Sequence, residues 1–177
     1  MQLYGPHGTI DFCNSLFEKV YPSAPEIVRR IRDDGWNVAA NEVAEGLVSD
    51  SNGFRVVSVP VEHGIPAVAY RIETGEGVVV ISGDTRPCRS LIELAKGADL
   101  LVQECSFPDD MSDLARVTNH STASEVGDVA NKAAVKGVVL THLFPHWSGR
   151  EKEMAESVSN KFGGKVIIGR DLLEIAV

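Results

Sequence analysis

Three side chains in this sequence stand where they could share one piece of chemistry. His63, Asp84 and His142 each follow a run of β-branched or aliphatic residues, Val57 to Val61, Val78 to Ile81 and Val138 to Leu140. Such runs predict buried strands. Polar groups at rigid strand ends, beside loops open to solvent, are the usual geometry of a site in an α/β sheet. Two imidazoles and a carboxylate suit zinc or a similar divalent metal. Singly they carry little: Asp84 before Thr85 reads as a turn cap, and a lone histidine is more often a satisfied, half-buried side chain than a ligand. The argument rests on all three occurring at strand ends. His7 and His146 have no comparable setting, although His146 follows His142 closely enough to reach the mouth of a pocket.

The elements that must position these groups are legible in outline. Met1 to Pro6 reads as a short strand running into a turn, and a helix is expected from about Ile10 to Val20, with Thr9 able to cap it. Ser23 and Glu26 have capping-box spacing, which predicts a second helix to about Arg32. From Trp36 to Ser82 β-branched residues dominate. Val57, Val59, Val61 and His63 fall on one side of a strand within Phe54 to His63. Further strands are expected at Ala67 to Glu73 and Gly77 to Ile81, joined by a tight hairpin at Thr74-Gly75-Glu76-Gly77. Helices are then expected at Arg89 to Lys96, Ser124 to Ala134 and Glu151 to Phe162, the second with a capping box at Thr122 and Glu125. They alternate with strands at Leu100 to Gln103, Val138 to Thr141, Val166 to Ile168 and Leu173 to Ile175. Antiparallel strands followed by strand–helix alternation imply an α/β fold, a mixed sheet covered by helices.

Composition narrows the function classes. A chain of 177 residues with 44% apolar and 24% charged side chains suits one globular domain over 1–177. No apolar run approaches the length of a membrane span, and the N-terminus has neither the charged nor the apolar region of a signal peptide, so a cytoplasmic location and no membrane partner are expected. The net charge of −8, with basic residues scattered, argues against broad nucleic-acid binding. Cys13, Cys88 and Cys105 form no CxxC pair and read as reduced thiols.

The motifs then become specific. Val61-Glu62-His63-Gly64-Ile65-Pro66, Ser82-Gly83-Asp84-Thr85-Arg86, Leu101 to Phe107, Asn119-His120-Ser121-Thr122-Ala123 and Thr141-His142-Leu143 occur in this order, after Leu3-Tyr4-Gly5-Pro6. Together they resemble the later motifs of ribonuclease Z and related hydrolases of the metallo-β-lactamase superfamily. The resemblance implies part of an αββα sandwich. It implies a metal set of His63, Asp84 and His142, in which Asp84 bridges two divalent ions, zinc first and manganese second. It also implies catalytic roles for His120 and Asp84, and a supporting role beyond the metal for Glu104, which otherwise merely ends a strand. Cys105 is expected to pack.

Two departures qualify this. The chain has no HxHxDH motif, which in the family precedes the Tyr-Gly-Pro segment, so the resemblance covers the C-terminal portion of the fold. The interval from Ile72 to Ser82 holds only a tight turn where some relatives insert a tRNA-gripping arm. In a complete enzyme of this kind the metals would acidify a water to a pKa of about 7, and the hydroxide would attack a phosphodiester or other small ester. His120 would protonate the leaving group. The alternatives are tRNA 3′ processing and a non-catalytic, truncated half kept as a binding module. The isolated chain is expected to bind metal weakly or not at all. It is also expected to self-associate, as a two-fold dimer.

Overall fold

A glutamate, not the expected threonine, organises the start of the first helix. In the computed structural model, which describes residues 1–24, 26 and 38–177, strand β1 (Gln2–Gly5) pairs in parallel with β2 (Ala39–Glu42). Helix α1 (Thr9–Ser15) follows β1 and continues as a π-helical turn at Leu16–Val20, so the helix expected to Val20 is present with a wider last turn. Gly8, at φ 97°, is its N-cap, and the Thr9 hydroxyl instead donates to the Pro6 carbonyl at 2.6 Å. The Glu42 carboxylate accepts the backbone N–H groups of Gly8 and Ile10 at 2.8 and 3.4 Å. His7 lies 3.0 Å from the same carboxylate, which raises its pKa above the ordinary histidine value. The helix expected from Ser23 to Arg32 lies largely outside the described residues, as does Trp36.

Where the sequence reading took 1–177 as one domain, the described residues divide into two compact units, Met1–Ala44 and Glu45–Val177. The second contains one seven-stranded sheet whose strands pair in sequence order. Strands β3 (Gly46–Ser51), β4 (Phe54–Val61), β5 (Ala67–Glu73) and β6 (Val78–Ile81) form an antiparallel meander. Strands β7 (Leu100–Glu104), β8 (Gly137–Thr141) and β9 (Lys165–Ile168) then extend it in parallel from β6. The hairpin between β5 and β6 is as tight as expected, with the Thr74 hydroxyl accepting the N–H groups of Glu76 and Gly77 at 3.1 Å.

Parallel neighbours need crossovers, and helices supply them. Helix α2 (Arg89–Ala95) links β6 to β7, α3 (Ser112–Thr118) and α4 (Ala123–Ala133) link β7 to β8, and α5 (Glu151–Ser159) links β8 to β9. Crossovers of one hand between strands added in one direction put their helices on one face of the sheet. The core reflects this: Leu91, Val126, Val129, Met154 and Val158 pack with Leu101, Val138, Leu140 and Val80. The expected capping box of α4 forms, with Glu125 accepting the Thr122 N–H at 2.9 Å. Short α3 escaped the sequence reading because its seven residues, of which only Ala115 is buried, carry no apolar stripe.

On the other face, Val102, Val139, Leu173 and Ile175 line one cleft, and Leu100, Ile167, Ile175 and Val177 another. Leu173 to Ile175 is therefore not the strand expected from its composition. It crosses this face without a ladder partner among the described residues, and a strand without a neighbour has no backbone bonds to define it. No helix among the described residues is long and apolar enough to cross a membrane.

Gln103 departs from this good packing. Its side chain is fully buried, and neither amide atom finds a hydrogen-bond partner among the described residues. Buried unsatisfied polar groups cost about 1–3 kcal/mol each, whereas an apolar side chain of the same shape does not. Gln103→Met should therefore raise stability by about 1–2 kcal/mol, read as a higher urea midpoint at unchanged slope; a lower midpoint would show that the amide is bonded in solution.

Candidate functional site

The direction of the strands explains why distant motifs meet. β4 and β6 both run antiparallel to β5, so they run the same way as each other and as β7 and β8. Their C-terminal ends therefore lie at one edge of the sheet. His63 lies two residues beyond β4, Asp84 three beyond β6, Glu104 ends β7, and His142 follows β8 directly. His120 arrives differently. At the end of α3, Asn119 turns left-handed at φ 56°, and the His120 N–H bonds back to the Ala115 carbonyl at 2.9 Å. That turn brings the side chain inward, where it is 8% exposed.

Backbone conformation at the edge is constrained where the ligand candidates sit. Gly83 has φ +62°, and a Cβ there would lie 2.8 Å from the Val68 carbonyl oxygen, so the turn presenting Asp84 requires glycine. His142 itself has φ 54°. A non-glycine residue in this region is held there against a cost of about 1–3 kcal/mol, a pattern that clusters at functional sites.

At the centre is Glu104, 1% exposed. Its Oε1 accepts the N–H groups of Thr85 and Ser121, each at 3.1 Å, and lies 2.9 Å from His120 Nδ1. Its Oε2 accepts the Ser106 N–H at 3.1 Å and the Ser106 hydroxyl at 2.7 Å. One carboxylate thus ties together the segments after β6, after β7 and before α4. Thr85 extends the tie to β4: its hydroxyl accepts the Glu62 N–H at 3.1 Å, next to His63. His63 Nδ1 lies 3.2 Å from the Asn119 carbonyl, which can only accept, so the ring donates from Nδ1 and leaves Nε2 free.

The four expected side chains are together. The ring centroids of His63 and His120 are 4.8 Å apart, those of His120 and His142 are 5.3 Å apart with the rings stacked, and His142 Nε2 lies 3.8 Å from Asp84 Oδ2. A cleft of about 280 Å³ opens beside them, lined by Asp84, Glu104, Thr141 and His142 among others. Candidate ligand atoms of Glu104, His120 and His142 also lie within 4.8 Å of one another. Glu104 is nonetheless a poor ligand, because five donors already occupy its two oxygens. The donors left open to a divalent ion are the Asp84 carboxylate and the Nε2 atoms of the histidines, and this oxygen–nitrogen set fits zinc or manganese.

Two contributors were missed in sequence. Ser106 bridges Glu104 and His142, its hydroxyl 2.8 Å from His142 Nδ1. The ring of Phe144 packs edge-on against His142 and His120, at centroid distances of 5.0 and 5.7 Å. Their proximity to recognisable residues, two places after Glu104 and two after His142, was the available signal. Cys105 packs as expected: it is fully buried, and burial pushes its thiol pKa far up. His146 is exposed and touches Trp147.

Known proteins resemble this chain in sequence and in fold. A Ribonuclease Z of Methanosarcina acetivorans is 38% identical over 226 aligned positions, which take in all of this chain and 70% of the relative. This chain belongs to the ribonuclease Z family. A Putative ribonuclease Z of Mycobacterium tuberculosis is 32% identical over 149 positions, covering 79% of this chain and 66% of the relative. Among solved structures, human tRNase Z, short form, superposes with a TM-score of 0.76 at 21% identity, covering 99% of this chain and 67% of that one. The metallo-β-lactamase fold protein YhfI from Bacillus subtilis gives 0.71 at 21%, with 96% and 61% covered. No family model matches. The fold is thus that of the metallo-β-lactamase superfamily, whose ribonuclease Z branch comprises metal-dependent hydrolases, and the chain spans from 30% to 70% of the length of curated relatives it matches.

Glu104→Gln tests the centre. A glutamine in this place would turn one acceptor into a donor facing N–H or O–H groups, leaving buried groups unsatisfied at about 1–3 kcal/mol each. The variant should lose on the order of 3 kcal/mol of stability in denaturant titration; a loss below about 0.5 kcal/mol, the usual range for a surface change, would show that Glu104 does not tie these segments together.

Proposed function

We propose that this chain carries the later half of a metal-dependent phosphodiesterase centre, in which His63, Asp84 and His142 hold metal and His120 is the general acid. The observation that carries this is the sequence of contacts from Asp84 through His142 to His120, with His120 backed by a buried carboxylate. Divalent ions held there would supply Lewis acidity and an acidified water. The chain's own residues do the rest. Asp84, placed by Gly83, presents its carboxylate to the cleft. His142 and His63 present Nε2. Glu104 accepts the Nδ1 proton of His120, so Nε2 is the atom that carries a proton to the leaving oxygen, and the positive charge on the ring during that transfer sits against the carboxylate.

The substrate has two readings. The tight hairpin at Thr74 to Gly77 favours a small ester or diester. A second reading is cleavage of tRNA precursors at the 3′ side; the name Ribonuclease Z of the curated relatives supports an RNA substrate. The Mycobacterium relative aligns over 149 positions to 79% of the chain, so it carries no long insertion in that stretch, and a short hairpin does not by itself exclude the second reading. Bis-aryl phosphodiester and precursor tRNA offered side by side separate the two.

The sequence has no HxHxDH. Two histidines and one aspartate fall short of the roughly four ligands of a closed zinc site. Calorimetry with zinc should accordingly show weak or no binding to this chain alone; tight, stoichiometric binding of two ions would sink the idea that donors are lacking. Turnover of a bis-aryl phosphodiester with zinc or manganese should be absent from this chain and appear when an HxHxDH-bearing segment is joined to it. His120→Ala should then lower the rate by about 10²–10⁴. Turnover by this chain alone that disappears with His142→Ala would contradict the proposal of a half centre.

The apolar sheet face around Val102 and Val139 is the proposed seat of a second copy. Val102, Val139, Ile167 and the residues from Leu173 onward offer the surface that a two-fold partner would cover. Sedimentation at micromolar concentration should show a dimer; a stable monomer would mean that no second copy covers this face.

A further inference from the structure

Ser106 lies between the carboxylate of Glu104 and two imidazoles, fully buried. Its hydroxyl oxygen is 2.7 Å from Glu104 Oε2, 2.8 Å from His142 Nδ1 and 3.3 Å from His120 Nδ1. A hydroxyl has one proton to give and two lone pairs with which to accept. The carboxylate oxygen can only accept, so the proton is committed to Glu104. Toward His142 the hydroxyl then has nothing but a lone pair, and the 2.8 Å contact is a hydrogen bond only if His142 carries its proton on Nδ1. His120 does not compete for this role, because its own Nδ1 proton has the shorter contact, 2.9 Å, to Glu104 Oε1.

We infer that Ser106 is a positioning residue for His142. Held by Glu104, its hydroxyl fixes the neutral imidazole with the proton on Nδ1 and the lone pair on Nε2, facing Asp84 at 3.8 Å. The inference deepens the proposed function, since it concerns a residue read there as metal-holding. A ring that ligates through Nε2 must carry its proton on Nδ1, and the group accepting that proton sets both tautomer and ring orientation. A single buried carboxylate then governs two imidazoles by different routes, His120 directly and His142 through the Ser106 hydroxyl. Phe144 sets the plane of the His142 ring by contact but offers no acceptor, and the Asp84 carboxylate, 3.8 Å from Nε2, is beyond hydrogen-bond distance, so the 2.8 Å contact with Ser106 is the bond that selects the tautomer.

The test is made on this chain without metal, so its outcome does not depend on whether the chain holds zinc or hydrolyses an ester. Long-range ¹⁵N–¹H spectra of histidine-labelled protein, with the rings neutral, report which nitrogen is protonated. The expected parent spectrum has His142 and His120 both protonated on Nδ1. In Ser106→Ala the pyrrole-type and pyridine-type nitrogen shifts of His142 should exchange, because the acceptor is gone and a neutral histidine side chain in water prefers the Nε2 proton. His120 should be unchanged, which a general loss of structure would not allow. Ser106→Thr keeps the hydroxyl and should keep the parent pattern. His142 protonated on Nε2 in the parent, or still on Nδ1 in Ser106→Ala, would overturn the inference. Should Ser106→Ala not fold, the parent and Ser106→Thr spectra still decide, because Nε2 protonation of His142 in either removes the role of the hydroxyl.

Discussion

The structure around the sheet edge depends on one buried carboxylate. An ionised group withdrawn from water costs several kcal/mol unless it is surrounded by donors, and Glu104 is surrounded by them. Backbone N–H groups of Thr85, Ser106 and Ser121, the Ser106 hydroxyl and the His120 ring converge on its two oxygens. Charge-assisted bonds of this kind are about twice as strong as neutral ones. They come from three loops at one sheet edge, which the Ser121 hydroxyl to the Thr85 carbonyl and the Phe107–Thr122 bridge also join. Because the penalty of leaving the charge unmatched is large, the loops are held as a set, and the side chains they carry inherit that order.

A second constraint is the sheet itself. Antiparallel strands alternate in direction, so every second strand of the meander ends at the same edge as the parallel strands that follow. His63 after β4 and Asp84 after β6 thereby join Glu104 and His142. One-handed crossovers place their helices on a single face, and on the opposite face residues 169–177 line clefts against β7 to β9. Openness and order are both needed at the sheet edge. A ligand must enter, yet the groups that meet it must not relax, and the left-handed backbone at Gly83 and His142 shows where the chain is bent to achieve this.

Apolar contact completes what hydrogen bonding begins. Phe107 and Phe144 meet edge to face at 5.3 Å and close over the stacked His120 and His142 rings. Aromatic edges and faces attract through their quadrupoles, so this packing resists rotation of the imidazoles while hydrogen bonds select their protonated nitrogens. The two effects act on different degrees of freedom, orientation in one case and tautomer in the other.

What the sequence by itself determined was the local character of each segment and the identity of the chemically able residues. Val78 to Ile81 and Val138 to Leu140 are strands because β-branched and aliphatic runs of that length bury well in no other form, and Thr122 with Glu125 starts a helix because the capping box is a local interaction. His63, Asp84, His120 and His142 stood out because residue type and nearby motif are local too. Tertiary structure alone decided the rest. That Glu42 and not Thr9 organises the first helix depends on contacts from the Gly8 and Ile10 N–H groups to a carboxylate 34 and 32 residues along the chain. Leu173 to Ile175 has the composition of a strand, but a strand exists only where another offers its backbone. The role of Ser106 depends on a histidine 36 residues away, whose Nδ1 lies 2.8 Å from its hydroxyl. Such roles belong to pairs of residues brought together by the fold, and no window of sequence contains both partners.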